Sequence, residues 1–379
     1  MKKNKQKLLL TQALSGLGNA VVGIFFPFLV GRAFGLSYAG IIFWMVAINI
    51  CLIFAMYPIN FYMGKKLSTE KMIQLGLFLQ AIFLAIIGLA SQHIFWFLLA
   101  GILYVFHLCV FWPSFHVALL HSSCDGKRGD FIGSIHLLLV GVNLVAPLLS
   151  GFLLDLGKDW AVALISVVFF LLAMFSLQNI HLPKQKLSPF KESWKFFLKE
   201  IWYTRYRLGL ITDGIQGEVL WIIWPLFLGI VLGKFALMGM VVAIAAVGEM
   251  ISAKIFGKLT DKYSAKKVLR MGMIARFFDI GVRALLIKFP TMLWAGIVSV
   301  NAGILGPIYN ISFYNRLCEI AEDTEPKVLE FFLAREWLIN VVRVVWLSLA
   351  ALAVLQWGEM ALGWVIGATA LLSFGYRRF

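Results

Sequence analysis

Charge is what this sequence is short of. Asp, Glu, Lys and Arg make up 14% of its 379 residues, against the ~25% usual in soluble domains, while apolar types reach 61% where ~45–50% is ordinary. A soluble enzyme of this composition would leave much of that apolar surface in water. Cysteine is also scarce. Cys51, Cys109, Cys124 and Cys318 form no CxxC pair, which excludes a disulfide framework and a thiolate zinc site and leaves buried thiols as the expectation. Acids number 19 against 34 Lys and Arg. The bases lie between apolar runs and not on a polar domain, so the formal charge of +15 does not point to nucleic acid. No nucleotide loop, nucleophile elbow or helical metal motif occurs. His107 and His116, nine residues apart, face opposite ways on a helix, and His116 and His121 miss the i, i+4 spacing of a helical metal site. No cofactor, metal or enzymatic activity is expected.

What is present is a series of apolar runs near 8–33, 37–63, 72–90, 94–119, 131–155, 160–178, 206–232, 236–256, 268–287, 290–314, 331–354 and 359–376. At ~20 residues a run can cross a bilayer, and about twelve crossings leave only ~11 residues per loop, too few for a soluble catalytic domain. The stretch after Lys7 runs past Pro27, too long for a cleaved signal, and reads as a retained first span. With the amino terminus inside, the cytoplasmic segments carry 25 Lys and Arg and the other side four, namely Arg32, Lys158, Lys234 and Lys288. Both termini are therefore expected in the cytoplasm, with the chain a monomer in the plasma membrane.

The two halves resemble each other. Ser15 to Gly35 lies over Asp213 to Gly233, pairing Gly16 with Gly214, Pro27 with Pro225, Gly31 with Gly229 and Gly35 with Gly233, and Ser68 to Gly76 lies over Ser264 to Gly272. The expected fold is an all-α polytopic membrane protein with about 12 transmembrane helices in two parallel-repeat six-helix bundles, residues 1–178 and 207–379. In the linker 179–206, Ser188 and Pro189 read as an N-cap and first helical position. Phe190, Trp194, Phe197, Leu198 and Ile201 then share one face and Lys191, Lys195 and Lys199 another, which predicts an amphipathic helix on the cytoplasmic leaflet.

After the eighth run the chain reads Gly257-Lys-Leu-Thr-Asp261-Lys262-Tyr-Ser264-Ala-Lys266-Lys267. This resembles the G-x-L-x-D-[RK]-x-G-x-[RK]-[RK] signature of the major facilitator superfamily, with Ser264 in place of a glycine. A tight turn at Gly257, an Asp261 that meets a helix N-terminus, and lysines held at an anionic leaflet are the physical expectations. The resemblance implies a gating loop that locks the bundles together. The first-half copy, Gly64-Lys65-Lys66, places Lys65 opposite Asp261. The fifth run partly resembles the superfamily's antiporter signature at Gly133, Val142, Ala146, Pro147, Ser150 and Gly151, which favours export. The fourth run has Gly101 where the superfamily's proton-driven drug exporters carry an arginine twelve residues before Pro113.

A charge at membrane depth costs ~2.5–3.5 kcal/mol or more, so each must be paired, hydrated or useful. Within the spans, away from Arg32 and Asp155 at their outer ends, such charges occur only in the second half. Arg276, Asp279 and Arg283 share one helical face and predict a buried charge network, with Glu249 a further member. Glu336, Asn340 and Arg343 share another face, on a helix that borders the cavity in the superfamily. Lys254 and Arg335 sit near helix ends, where such side chains snorkel. Asp213, Gln216 and Glu218 lie on the seventh span without a cation on that helix within reach, with Glu218 near the midplane. A carboxylate there suits proton binding unless it is paired, with Arg283 or Arg343 the available partners, and Glu218, then Asp213, is the expected ion-coupling group. The first half offers Asn19, His107, His116, His136 and Asn143 instead, and Asn301 adds an amide in the tenth span. The function expected is secondary active transport of a small solute, coupled to protons or another ion. The alternatives are a transporter-like receptor or scaffold and a membrane-embedded enzyme.

Overall fold

The computed structural model describes residues 2–89, 92–122, 128–178, 180, 182, 184, 187–263 and 265–379. Side chains at 2–5, 121, 122, 128–139, 253, 254, 257, 258, 260, 261, 265 and 378 are outside that description. The described elements are all helical and form twelve rods and a linker helix. In the first half α1 (Lys2–Val22) and α2 (Phe26–Phe34) make one rod, followed by α3 (Tyr38–Lys66), α4 (Thr69–Leu89), α5 (Ile94–Ser122), α6 (Arg128–Asp155) and α7 (Asp159–Ser176). The linker carries α8 (Phe190–Phe197). In the second half α9 (Arg207–Glu218) and α10 (Trp224–Leu232) form one rod, followed by α11 (Phe235–Lys262), α12 (Ala265–Ala284), α13 (Met292–Glu322), α14 (Val328–Trp357) and α15 (Ala361–Leu371).

Among the described residues nine helices are each long and apolar enough to cross a membrane, and α6 contributes the shorter apolar stretch Val140–Asp155. Several rods outrun the apolar runs that mark them. The 29 residues of α3 rise ~44 Å against a ~30 Å hydrocarbon core, so its Lys65–Lys66 end projects into the headgroups. The outward surface is built for lipid: Phe54 is 75%, Leu89 82% and Trp364 71% exposed, values that would be untenable in water over so large an area. Cys109 and Cys318 are buried, whereas Cys51 is exposed on the bundle surface, so the buried-thiol expectation fails there. A thiol facing lipid meets the same apolar solvent as one in a core.

The aligned repeat positions play matching local roles. Proline has no N–H to continue a helical ladder. The first rod accordingly changes to a 3-10 turn at Gly23–Phe25 just before Pro27, and the seventh to a π turn at Val219–Ile223 just before Pro225. Gly35 and Gly233 both end their rods in the left-handed region, with φ of 66° and 65°, where a Cβ would be strained. Their N–H groups donate to the carbonyls of Gly31 and Gly229. Gly257 forms no turn: α11 runs unbroken through it to Lys262.

The linker departs from expectation in two ways. Ser188 does not cap α8; its N–H and Oγ donate instead to Glu330 Oε1 on α14, at 3.1 and 3.0 Å. The apolar face of α8 rests on protein, with Trp194 and Phe197 ring centroids 5.2 and 4.8 Å from Trp337. On the other side of the seam, the Tyr57 hydroxyl of α3 donates to the Ser188 carbonyl at 2.7 Å. Ser188 thus ties α3 of the first half to α14 of the second.

Candidate functional site

A cavity of about 430 Å³ lies between the halves. Its first-half wall is uncharged, with the amides of Asn19, Asn49 and Gln80 and the rings of Phe26, Tyr104 and Trp112. His107 and His116 complete this wall. Each histidine is used within the protein: His107 Nδ1 lies 2.8 Å from the Gly76 carbonyl, and His116 Nδ1 lies 2.9 Å from the Tyr314 hydroxyl. The second-half wall carries Glu218, Trp221, Arg335, Glu336, Asn340 and Arg343. Its shape depends on a local irregularity. The π turn at Val219–Ile223 follows Glu218 directly, and such turns widen a helix and re-aim its side chains.

Charges on this wall come in two groups. Glu218 Oε2 lies 3.4 Å from Arg343 Nε, which also donates to the Gly214 carbonyl at 3.2 Å. Its own helix supplies no cation, as the sequence indicated, and α14 supplies one. Arg335 does not snorkel. It is 8% exposed and bridges two carboxylates, Asp213 at 2.7 Å and Glu336 at 2.6 Å. Gln80 Oε1, Asn340 Nδ2 and Arg335 Nε, on cavity-lining residues, are buried and make no hydrogen bond to another described protein group, and Asn49 stands beside Glu218 as a side-chain hydrogen-bond partner.

Behind the wall a polar chain leads away from the cavity. Tyr309 donates to Asp213 Oδ1 at 2.9 Å, and its hydroxyl lies 2.7 Å from that of Tyr376. Tyr376 is 3.2 Å from Gln216 Oε1, which also accepts from Arg276 Nε at 3.2 Å. Asp279 then joins Arg276 at 3.4 Å to Arg283 at 2.9 Å. The two arginines also sit over aromatic faces, Arg276 over Tyr309 at 4.6 Å and Arg283 over Trp224 at 4.7 Å. Gln216, 0% exposed, therefore faces α12 and α15 and not the cavity, with Nε2 donating to Ser373 Oγ at 2.8 Å. Asp213 also lies behind the lining and reaches it through Arg335.

The remaining candidates lie elsewhere. Asn143 and Asn301 are half-buried outside the cavity lining, and Asn301 Nδ2 has no partner. Glu249 is half-buried on α11. In the gating loop, Lys262 and Lys267 stand 5.7 and 4.9 Å from the Tyr263 ring centroid, and Lys266 is half-buried beside them. The side chains of Asp261, Lys254 and His136, and the whole of Ser264, lie outside the described residues. Residues that composition and spacing did not single out are Asn49, Gln80, Tyr104, Trp112, Trp221 and, as a cavity group, Arg335. Each sits in an apolar run whose helical face is undetermined until the neighbouring rods are placed.

The halves touch on both sides of the cavity. On the side away from the termini, Asp155 accepts from the Phe235 and Ala236 N–H groups at 2.8 and 2.9 Å, capping α11. A Cβ on Gly151 would strike the Phe235 carbonyl, and one on Gly239 the Pro147 carbonyl, so α6 and α11 need small residues to approach this closely. On the side of the termini, His116 meets Tyr314 and stacks on Phe332 at 5.0 Å, and the Ser188 node spans α3 and α14.

Similar folds occur among solved structures. A POT family transporter in complex with a thioalcohol-conjugated peptide superposes with a TM-score of 0.71 at 9% identity, covering 98% of this chain and 94% of that one. A POT family transporter in complex with 5-aminolevulinic acid gives 0.69 at 10% identity, covering 98% and 94%. The nucleoside transporter NupG gives 0.64 at 14% identity, covering 98% of both chains. No curated protein matches the chain. The sequence model of the Major Facilitator Superfamily matches residues 8–326, and with the twelve rods and the central cavity in place, the chain belongs to that family of membrane transporters.

Proposed function

We propose that the chain is a proton-coupled secondary transporter of a small solute, working by alternating access about the central cavity. The observation that carries this reading is the Asp213–Arg335–Glu336 cluster. One guanidinium is shared by two carboxylates in a largely buried setting, and the matching excess of positive charge, on Arg276 and Arg283, lies behind them across the tyrosine chain. Sharing one cation between two carboxylates gives the cluster a member that can exchange a proton without leaving Arg335 unpaired. Glu218 has its own arginine and forms a balanced pair, so coupling is assigned to the cluster and Glu218 to the solute.

The units that rock are 1–178 and 207–379, joined by 179–206. The bias of 25 basic residues against four supports a plasma-membrane protein with both termini in the cytoplasm. Direction is assigned to the gradient, because Gly151 and Pro147, two of the α6 positions that favoured export, have a use in close packing on α11. The test is reconstitution: proteoliposomes with an imposed proton gradient should accumulate solute, reverse when the gradient is reversed, and lose accumulation but keep exchange in Asp213→Asn. A wild-type protein that is folded, binds solute and moves none under either gradient would instead be a receptor.

A further inference from the structure

The linker does more than join the halves in sequence. A residue before proline is kept out of the helical region, so Ser188, followed by Pro189 at φ −54° and ψ 151°, feeds no helical ladder and its polar groups are free for other partners. Its N–H and Oγ donate to Glu330 Oε1 on α14, and its carbonyl accepts from the Tyr57 hydroxyl of α3 and, at 3.2 Å, from Ser193 Oγ. The Phe190 ring meets Tyr57 edge-on at 5.0 Å.

The two attachments of this segment are unequal. On the second half, two donors share one buried carboxylate oxygen, and hydrogen bonds to an ionised group are roughly twice as strong as neutral ones. The rings of Trp194 and Phe197 add their packing on Trp337. Among the described residues, the one hydrogen bond from 187–202 to the first half is that of Tyr57, and it is neutral. Pro58, next to Tyr57, lies inside α3 and has no N–H for its ladder, so α3 bends most readily at this point. Separation of the halves therefore breaks the Tyr57 attachment first and leaves the linker on α14. The footholds Glu330 and Trp337 also bracket Arg335 and Glu336 along α14, so a shift of that helix at the charge cluster carries the linker with it.

We infer that residues 187–202 form a strap that travels with α14 and hooks Tyr57 whenever the cavity is closed on the side of the termini, so that the Tyr57–Ser188 bond must break before the cavity opens there. The strap lies outside the His116–Tyr314 contact, which closes the same side at the cavity lining. This inference rests on the alternating-access reading and names a gate for it.

The test follows a cysteine introduced at Asn19, which lines the cavity, in membrane vesicles of either orientation. A membrane-impermeant maleimide is applied to one face at a time, and rates are taken over the same protein without that cysteine. Tyr57→Phe removes only the hydroxyl: the ring keeps its stack on Phe61 at 5.7 Å, and the Ser188 carbonyl keeps Ser193 as a donor. Modification from the side of the termini should rise about fivefold, the worth of one neutral hydrogen bond, and modification from the opposite side should fall. Glu330→Gln should act in the same direction, and Lys191→Ala, on the exposed face of the strap, should change neither rate. Tyr57 and Glu330 hold one chain of contacts in series, so the double variant should match the larger single effect. Rates in Tyr57→Phe that stay at wild type, that rise equally from both faces, or that multiply with those of Glu330→Gln in the double variant overturn the strap. Should Glu330→Gln not elute as a single folded species, the opposed rates in Tyr57→Phe decide alone. A cysteine at Asn19 reached from only one face in every variant refutes alternating access and the strap with it, whereas two-sided modification that Tyr57→Phe leaves unmoved refutes the strap alone.

Discussion

Removing one member of the Asp213–Arg335–Glu336 cluster should have opposite consequences depending on which member goes. Arg335→Leu leaves two carboxylates without their shared cation, and breaking a buried ion pair in this way costs ~3–5 kcal/mol. Asp213→Asn leaves Arg335 paired one-to-one with Glu336 at 2.6 Å; the new amide oxygen can take the place of Oδ2 and accept from Arg335, now at 2.7 Å, while the amide NH2 takes the place of Oδ1 and donates to the Tyr309 hydroxyl, now at 2.9 Å. Its loss is that of charge assistance on those bonds, ~1 kcal/mol. Glu336→Gln behaves likewise. The triple change Arg335→Leu, Asp213→Asn and Glu336→Gln should recover most of the stability lost by Arg335→Leu alone. Thermal stability of detergent-solubilised protein, followed by size-exclusion recovery, reads the first part. Solute accumulation against an imposed proton gradient in proteoliposomes reads the second, where both single carboxylate variants should fall to exchange only. The reasoning is refuted if Asp213→Asn destabilises as much as Arg335→Leu, or if both carboxylate variants keep wild-type accumulation and pH dependence.

Glu218→Gln should weaken solute affinity about tenfold, the loss of one charge-assisted hydrogen bond at ~1.4 kcal/mol, while proton-driven accumulation at saturating solute persists; binding isotherms and uptake measured on the same preparation check this. Asp155→Ala removes the cap on α11 and should destabilise the closed contact between α6 and α11 by ~1 kcal/mol, seen as faster modification of a cysteine introduced at Asn19 by a reagent applied from the side away from the termini. Reporter fusions after residue 7, within 179–206 and at Phe379 should all report the cytoplasm, and a single external reporter overturns the orientation.

Rod number, rod breaks and the repeat were legible in the sequence because they depend on local chemistry. A run of about twenty apolar residues seeks a bilayer wherever it lies, Pro27 and Pro225 interrupt a helical ladder regardless of neighbours, and Gly35 and Gly233 alone tolerate the left-handed caps. The face shared by Arg276, Asp279 and Arg283 followed from helical period, and so did that of Glu336, Asn340 and Arg343. Partnership across helices was a different matter. Arg335 looked like a snorkelling end group because its depth was judged from its own helix, and only the approach of α9 places it between Asp213 and Glu336. Glu218 looked solitary for the same reason, until α14 brought Arg343 to it. Gln216 is about one turn from Asp213 and two residues from Glu218, yet packing against α12 and α15 turns it away from the cavity. The amides and rings of the uncharged wall lie in helices apolar on nearly every side, where no periodicity distinguishes a lipid-facing position from a cavity-facing one. What the sequence determined by itself is therefore each helix and its own chemistry. Which charges meet, and which groups are left unpaired around a central space, depends on distances between rods far apart in the chain, and the tertiary structure alone decides those.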